Sequence, residues 1–474
     1  MINRTMTYRL GGSVTVAVLS AAMLIACSSG SGDSASGGSA GGPSAAGAAC
    51  TAADPSLDKD LGTNATMAQT LISCGEHSPL KAAGTAIKVA LANLQGDPAA
   101  NFTDYSDGIA AAVNYINDTL GGVGADPVNG KAGAPISLDV CPLGLSPADN
   151  VTCTNKFASS KPDLVLNGIN PFGAGMYPPL ANANVPVISS YPVSDADMQT
   201  SHVPAIIPGG GQLGASLGTL NYAVKVLHAK KLAFEYTTPQ ADAAYQNFTA
   251  NVVSKYLPGV ETQGFGMTAG KANAQSLAGS ILNYKPDAIV VLDGPDGFAA
   301  MVNSLTQLGW SPSKTPMLAW TSSIDNKQLP TVKSQANGSI FLSPTLVLSP
   351  ELYTGLKATE AKLYTDQLAK YKSSSKPDNV GAQGFASMMT VYLLMNEFVA
   401  KNGGTPSLGQ GQAFTDFVLG TSNEHLWADD PFSCAAAPKQ YPGECAISSA
   451  PYKYTNGKFV QEGSSSNPAA LLTS

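Results

Sequence analysis

The chain has 474 residues and a formal net charge of −7, from 26 basic and 33 acidic side chains. Its only arginines are Arg4 and Arg9, so the chain after residue 9 lacks the side chain that most often clamps phosphate and carboxylate. An acidic chain with so little arginine argues against nucleic-acid binding and against nucleotide chemistry. A carboxylate on any ligand would have to be held by backbone N–H groups, hydroxyls or a lysine.

The first 27 residues have the pattern of an export signal. Arg4 and Arg9 precede an apolar run that ends in Leu24-Ile25-Ala26-Cys27. This ending resembles the lipobox of bacterial lipoproteins, in which the cysteine is acylated and becomes the mature N-terminus. The alternative is an ordinary secretory signal with an incidental cysteine. We expect lipidation of Cys27 and an extracytoplasmic protein anchored to the bacterial cell membrane.

Residues 28–49 are almost entirely Ser, Gly and Ala, which predicts a flexible tether. Six cysteines follow, as suits an oxidising compartment. Six cysteines allow about 15 pairings, and spacing favours those between neighbours. The favoured disulfides are Cys50–Cys74, Cys141–Cys153 and Cys434–Cys445. The sequence has no C-x-x-C and no metal-ligand spacing of histidines, so we expect neither a metal nor a cofactor.

From residue 86 onward, short apolar runs alternate with amphipathic segments, which predicts βαβ units and a parallel sheet. The predicted strands are Ile87–Asn93, Ile136–Val140, Leu164–Asn167, Pro186–Ser189, Leu232–Tyr236, Ala288–Leu292 and Met317–Trp320. The predicted helices are Tyr105–Thr119, Pro147–Ser159, Gly173–Ala183, Gly214–His228, Ala241–Tyr256, Ala272–Tyr284, Gly297–Leu308, Pro350–Lys372, Asp378–Lys401 and Gly411–Leu419. Asn456-Gly457 predicts the turn of a terminal hairpin.

Several segments, in order, resemble those of one protein family. They are Ile87–Leu91, Gly108–Val113 with Ile116-Asn117 and Gly121-Gly122, Val185–Ser189, Lys285–Ile289 and Gln307–Gly309. Together they resemble the type I periplasmic solute-binding proteins, in particular the branched-chain-amino-acid-binding family of ABC transporters. The resemblance covers about residues 86–400. It implies an α/β fold of two doubly wound parallel-sheet lobes joined by three crossovers, with the ligand enclosed between the lobes.

The resemblance also implies a division of the chain. Residues 50–85 form a disulfide-closed extension over the domain surface. Residues 86–207 and 344–427 form lobe one, residues 208–343 and 428–462 form lobe two, and residues 463–474 form a tail. The crossovers lie near Pro208, Ser343 and Ala428, and Pro208–Gly211 is the expected hinge.

In such sheets the ligand lies beyond the carboxyl ends of the strands, which assigns the site to loops of both lobes. The resemblance gives as ligand-binding residues Asn101, Phe102, Phe172, Gly173, Tyr191 and Ser194 in lobe one, and Tyr236, Asp293, Asp296, Trp320 and Ser322 in lobe two. Each has a plainer alternative. Ser194 and Asp296 suit helix caps, and Phe172 and Trp320 suit packing.

Two departures from the family weaken a leucine-like ligand. Relatives usually carry a serine near Phe172-Gly173 for the ligand carboxylate and an acid near Ser322 for its ammonium group. This sequence has neither, although Asp293, Asp296 or Asp325 could replace the acid. An amide, another polar metabolite or an aromatic compound fits the remaining residues.

Two other functions are open. Gly214–Gly218 matches the G-x-S-x-G of α/β-hydrolases, with Ser216 as nucleophile and His228 or His425 as base. The elbow needs a strand directly before it, which is missing, so we expect no enzyme. A ligand sensor coupled to a signalling partner has the same fold as a transport receptor. We favour a monomeric receptor that captures a small polar solute, such as an amino acid or amide, for ABC permease subunits.

Overall fold

The structure is a computed structural model that describes residues 50–54, 59–97, 101–238, 245–268, 271–320, 323–324, 328–343 and 350–473. The predicted lipidation site Cys27, the tether of residues 28–49, Ser322 and Asp325 lie outside the described residues. The remaining predicted site residues are all described.

The described elements alternate between strands and helices, as the sequence predicts. The strands are β1 (Ile87–Leu94), β2 (Ile136–Leu143), β3 (Leu164–Asn167), β4 (Val187–Ser189), β5 (Lys231–Thr238), β6 (Glu261–Thr268), β7 (Ala288–Val291), β8 (Met317–Trp320), β9 (Ile340–Ser343), β10 (Ala450–Thr455) and β11 (Lys458–Gln461). The α-helices are α1 (Ala65–His77), α2 (Thr103–Asp118), α3 (Pro147–Ser160), α4 (Tyr177–Asn182), α5 (Asp195–Gln199), α6 (Gly211–Asn221), α7 (Asn251–Tyr256), α8 (Ala274–Tyr284), α9 (Pro295–Gln307), α10 (Gly355–Tyr371), α11 (Asn379–Lys401) and α12 (Ala413–Leu419). Of the helices in the described residues, none is both long enough and apolar enough to cross a bilayer.

The first sheet consists of parallel strands in the order β2-β1-β3-β4. Helix α2 packs closely against α11, and a Cβ atom on Gly108 would lie 2.0 Å from the carbonyl oxygen of Gly381. This glycine therefore lets the two helix backbones touch. The order of the strands shows that this half is doubly wound, because β1 leads outward to β2 and then back past itself to β3.

The second sheet has the order β11-β10-β9-β8-β7-β5-β6. Strands β5 to β9 are parallel, whereas β10 and β11 are antiparallel. Leu232 and Phe234 belong to one apolar core and Ala233 to another, which is the period-two pattern of a sheet covered on both faces. The predicted hairpin is present, with positive φ angles of 53° at Asn456 and 80° at Gly457. The predicted α/β fold class is confirmed.

The sequence analysis did not predict two of the strands, β6 and β9. Strand β6 carries Gly264 and Gly266 and lies at the edge of the sheet, so its apolar pattern is weak. Strand β9 is a run of only four residues. By contrast, the predicted bounds of β3 and β8 match to the residue.

The chain passes between the two sheets three times. It leaves the first sheet at β4 and enters the second at β5, returns after β9 to α10, and enters the second sheet again at β10. The segment before β10 differs from the prediction. Ala428, Phe432, Cys434 and Ala446 belong to the core of the first sheet, so the last passage lies close to Ala446 and not near Ala428. The Cys434–Cys445 disulfide accordingly packs with the first half, not with lobe two.

Three disulfides join the cysteine pairs that the spacing favours: Cys50–Cys74, Cys141–Cys153 and Cys434–Cys445. The first bond ties the start of the described chain to α1. Ala65, Ala68 and Leu71 of that helix are buried in the core of the first sheet. The segment predicted as a surface extension therefore contributes to this core.

The extension is also held by a buried ion pair. His425 Nε2 lies 2.6 Å from Glu360 Oε1 of α10, and His425 Nδ1 lies 2.9 Å from the carbonyl oxygen of Leu61. Both partners accept hydrogen bonds, so the ring donates from both nitrogens and is an imidazolium. Glu360 is the main cause that raises the pKa of His425.

Candidate ligand-binding site

A cavity lies where the carboxyl ends of strands in the second sheet meet segments of the first half. Its volume is about 30 Å³, which is room for a water molecule or two in this arrangement of the halves. Trp320, Ser343 and Ser449 line it from the second half. Tyr191, which follows β4, and Gln383 of α11 line it from the first half, and Gly209 and Gly211 line it between the halves. The cavity therefore lies at the junction of the two halves.

Strand pairing brings the second-half residues together. Trp320 ends β8 and pairs with Leu342, and Ser343 pairs with Ala450 at the start of β10. Neighbouring strands lie about 4.8 Å apart, so the end of β8 and the beginning of β10 are only two strand spacings from each other. Ser449 directly precedes β10. An antiparallel strand thus delivers its amino end to the edge where the parallel strands end.

Three buried polar atoms of this lining have no hydrogen-bond partner in the described part of the chain. They are Trp320 Nε1, Gln383 Oε1 and Ser449 Oγ. Ser449 as a whole is 4% exposed. An unpaired buried donor or acceptor costs about 1–3 kcal/mol, so most buried polar atoms in folded proteins are paired. Three such atoms belong to residues that line this one cavity.

A buried carboxyl group, that of Asp429, lies behind the residues that line the cavity. Ser448 Oγ donates to Asp429 Oδ1 at 3.0 Å and to Oδ2 at 2.9 Å, and the backbone N–H of Gly209 donates to Oδ2 at 3.1 Å. Burial raises the pKa of Asp429 to about 6. This carboxyl joins the first crossover to the segment that precedes β10.

The first crossover has an unusual backbone. Gly209, Gly210 and Gly211 have positive φ angles of 79°, 71° and 56°, a region that other L-residues seldom adopt. A Cβ atom on Gly214 would lie 1.5 Å from the carbonyl oxygen of Gly209. The glycine of the G-x-S-x-G match therefore serves to seat α6 against the crossover.

Ser216 lies within α6 and is 2% exposed. A nucleophile elbow holds its serine on a sharp turn directly after a strand, whereas this serine is inside a helix. His425, one of the two candidate bases, is engaged by Glu360 and Leu61. The geometry of the hydrolase alternative is therefore absent from this segment.

Several predicted residues of the first half take part in the fold itself. Asn101 Oδ1 accepts from the N–H groups of Gly96 at 3.0 Å and Thr103 at 3.3 Å, which fixes the start of α2. Phe102 packs against the first core. Ser194 donates from its N–H and hydroxyl groups to Asp197 Oδ2, at 2.8 Å and 3.0 Å, and caps α5. The capping role that the sequence left open for Ser194 is present.

A buried polar cluster explains Gly173. Asn167 at the end of β3 donates to the Tyr177 hydroxyl at 2.9 Å and to Asp197 Oδ1 at 3.3 Å, and Tyr177 also donates to Asp197. Burial raises the pKa of Asp197 and of Tyr177. A Cβ atom on Gly173 would lie 2.2 Å from Asn167 Nδ2, so only glycine fits there. Phe172, just before it, donates its N–H to Asn170 Oδ1 at 3.0 Å.

The predicted ligand-binding residues of the second half make different local contacts. Tyr236 stacks on Tyr245 with ring centres 4.9 Å apart. Asp293 Oδ1 accepts from the N–H of Gly294 at 2.7 Å, and Asp296 forms an exposed ion pair with Lys271 at 3.3 Å. Within the described residues, no cluster of three or more His, Cys, Asp or Glu side chains could hold a metal ion.

Among the described predicted residues, Tyr191 and Trp320 line the cavity. Sequence reasoning missed Gln383, Ser448 and Ser449. It also missed Glu235, a fully buried acid of β5 whose pKa burial and the nearby Asp293 raise well above its usual range. The only signal was a polar residue inside an apolar run, as in Ala233–Tyr236, which periodicity cannot distinguish from a surface position.

The fold described above matches that of a known protein family. The profile of a family described as periplasmic binding protein matches residues 87–406. The chain belongs to the periplasmic binding protein family. The resemblance inferred from the sequence is thus confirmed, and this family binds solutes. Comparison with curated protein sequences gives no significant match.

Solved structures of the same fold share little sequence with this chain. A leucine-binding protein LivK from Thermotoga maritima has 16% identity over 82% of this chain and 100% of its own, with a TM-score of 0.59. LivJ from Streptococcus pneumoniae, in complex with isoleucine, has 18% identity over 81% and 100%, with a TM-score of 0.59. A fatty acid ABC transporter substrate-binding protein from Thermomonospora curvata has 15% identity over 83% and 95%, with a TM-score of 0.61. At these identities the likeness shows the fold.

Proposed function

We propose that this protein is the extracytoplasmic substrate-binding component of an ABC importer, which captures a small polar solute between its two halves and delivers it to a membrane permease. The observation that carries the proposal is the cavity at the junction of the halves, with Trp320 Nε1, Gln383 Oε1 and Ser449 Oγ buried and unpaired around it. Family membership supports the class of function. The relatives named above bind leucine, isoleucine or fatty acid, so the fold alone leaves the solute open.

Binding would act by closure. The cavity draws its wall from both sheets, so a solute that contacts Tyr191 and Trp320 together stabilises the arrangement in which the halves are close. A ligand shifts such an equilibrium only by its difference in affinity for the two states. The glycines of the first crossover suit a hinge, since they absorb changes in φ and ψ. In this proposal the first half is residues 86–207 with the chain from α10 to Ala446, and the second half is residues 208–343 with the chain from Ile447 to residue 462.

The proposal also includes a lipid anchor that holds the protein at the membrane. The LIAC sequence at Cys27 and the flexible tether after it support a monomeric lipoprotein that reaches its permease from the membrane surface. Three disulfides agree with an oxidising, extracytoplasmic location. We expect Cys27→Ser to move the protein from the membrane fraction to the soluble fraction of cells. A variant that stays with the membrane contradicts the lipid anchor.

The function is tested by a thermal-shift screen of amino acids, amides, sugars and aromatic compounds. A solute that binds only the native state raises the melting temperature in proportion to the logarithm of its concentration above Kd. The same solute should accumulate in cells more slowly when the gene is deleted. Binding without an effect on uptake would support the sensor alternative, and no binding across these classes would contradict a solute receptor.

A further inference from the structure

The peptide group between Ser190 and Tyr191 is held from both sides. The carbonyl oxygen of Ser190 accepts hydrogen bonds from the Tyr105 hydroxyl of α2 at 2.6 Å and from Ser387 Oγ of α11 at 3.3 Å. The N–H groups of Ser190 and Tyr191 donate to the carbonyl oxygen of Asn167, at the end of β3, at 2.8 Å and 3.2 Å. The peptide is planar and is bonded through both its C=O and its N–H, so its orientation is fixed. This fixes the direction in which the Tyr191 side chain leaves the backbone.

The ring of Tyr191 is also held by Tyr105. The two rings pack edge to face, with their centres 5.6 Å apart and an angle of 86° between their planes. Aromatic pairs prefer this geometry because the positive edge of one ring meets the negative face of the other. Tyr105 therefore acts on both the backbone and the ring of a residue that lines the cavity.

Tyr105 belongs to a close contact between α2 and α11. A Cβ atom on Gly384 would lie 2.3 Å from the carbonyl oxygen of Tyr105, and one on Gly108 would lie 2.0 Å from that of Gly381. These two glycines, one on each helix, let the backbones touch and fix Tyr105 against α11. Tyr105 is 0% exposed, whereas Tyr191 is partly exposed. A side chain without exposed surface acts on a solute only through its neighbours.

A ring that is oriented in advance favours binding. A side chain that becomes ordered only when a solute arrives loses its freedom at that moment, and this loss opposes association. Binding sites are accordingly most effective when packing and hydrogen bonds behind the contact residues hold them in place. The hydrogen bonds to Ser190 and the ring contact with Tyr105 supply this support for Tyr191.

We propose that Tyr105 is a positioning residue of the solute site: it orients the ring of Tyr191 toward the cavity and does not contact the solute itself. Ser387 assists as the second donor to the carbonyl oxygen of Ser190. The inference rests on the proposed receptor function, in which Tyr191 meets the solute, and it names the residue that prepares this contact. The loop after β4 is thus oriented by two helices of the first half.

The first experiment is a double-mutant cycle on the full chain. Calorimetric titrations use leucine, acetamide, glucose and benzoate, one compound from each class of the thermal-shift screen, and the tightest of the four is carried through the variants. Tyr105→Phe keeps the ring and removes the hydroxyl, and should weaken binding about three- to tenfold. In a Tyr191→Ala background the same change should have no effect on affinity, because no ring is left to orient.

A matched control is Tyr392 of α11, which is also fully buried and donates its hydroxyl to the carbonyl oxygen of Gly122 at 3.1 Å. Tyr392→Phe and Tyr105→Phe should both lower the melting temperature, but only Tyr105→Phe should weaken binding. Equal losses of affinity from Tyr105→Phe with and without Tyr191, or no loss in either, overturn the positioning role and leave the receptor function standing. Unchanged affinity in Tyr191→Ala removes this ring from the site and also overturns the inference. Binding of none of the four compounds contradicts the receptor function itself.

The second experiment needs no solute. Fluorine NMR spectra of protein labelled with 3-fluorotyrosine report the environment of each ring, and the Tyr191 signal is identified by its loss in Tyr191→Phe. We expect Tyr105→Phe to shift or broaden this signal, Ser387→Ala to do so less, and Tyr392→Phe to leave it unchanged. Ser387→Ala carries the same test if Tyr105→Phe does not fold. A Tyr191 signal of unchanged position and width in Tyr105→Phe and Ser387→Ala overturns the positioning role.

Discussion

The carboxyl edges of the two sheets differ in how the buried side chains beside their loops are hydrogen-bonded, although Ser189 Oγ at the end of β4 has no partner among the described residues either. At the first sheet, Asn167, Tyr177 and Asp197 bond to one another and to the backbone of the loop before α5. At the second sheet, Trp320 and the neighbouring Ser449 keep polar atoms without partners. The first arrangement fixes its loops whether or not a solute is present. The second leaves polar atoms of its buried side chains without partners among the described residues.

The largest effect on the free energy of unfolding is expected from removing Asp197, the common acceptor at the carboxyl edge of the first sheet. Asp197 accepts from Tyr177, from the N–H groups of Val193 and Ser194, and from the Ser194 hydroxyl. Asp197→Ala leaves these donors unpaired and should lower the free energy of unfolding by about 4 kcal/mol, measured by urea denaturation. Asp195→Ala, on the same helix, is the control and should cost less than about 1 kcal/mol. Equal losses in both variants would mean that the pairing is not what stabilises this edge.

A pH dependence is expected from Glu444, which lies in the segment that precedes β10. It forms a bridge with Ala205, one of its oxygens is unpaired, and burial raises its pKa to about 8. The folded protein therefore keeps this proton up to about pH 8, whereas the unfolded chain loses it near the ordinary glutamate value. Stability from this group is complete at low pH and is lost as pH rises, by roughly 2 to 3 kcal/mol between pH 5 and pH 7.

The pH prediction is measured by denaturation at both pH values, with Glu444→Gln as the matched variant. The amide cannot ionise, so the variant should lose less stability than the wild-type protein over this interval. Other buried acids with raised pKa values, Asp429 among them, act in the same direction and remain in both proteins. An identical pH dependence in the two proteins would show that Glu444 is solvated.

The smallest effect is expected at Ser194, which belongs to the paired edge although the family resemblance gives it a ligand contact. Ser194→Ala should lower the free energy of unfolding by about 1 kcal/mol, the usual effect of a lost cap. Tyr191→Phe is the comparison, since Tyr191 lines the cavity. It should weaken solute binding while leaving the unfolding midpoint nearly unchanged. If Ser194→Ala also weakens binding, its hydroxyl serves both the cap and the solute.

Much of the fold could be predicted from the sequence, because buried parallel strands are short apolar runs between helices. Leu164–Asn167 and Met317–Trp320 were correct to the residue for this reason. Strand β6 was missed because an edge strand with two glycines loses the apolar pattern. The late return to the second sheet was missed because it depends on Phe432 and Ala446 packing with residues far away in the chain.

The candidate site was less predictable. Tyr191 and Trp320 follow strands, so the general rule for α/β sheets finds them. Gln383 lies within a helix and Ser449 precedes an antiparallel strand, and neither position has a local signal. Whether a polar atom is paired is a property of the folded neighbourhood, so Ser194 and Ser449 cannot be told apart by residue type, although one is a cap and the other is unpaired.

The bond between Cys50 and Cys74 has a mechanical consequence. Any pull exerted through residues before Cys50 enters the folded region at that cysteine and passes across the sulfur atoms directly into the end of α1. Residues 51–73 then carry no tension, and the load goes to a helix seated in the core. Reduction would put these residues in series with the pull, which would first load the hydrogen bond from the N–H of Ala53 to the Thr70 hydroxyl and then the contact of Leu61 with His425.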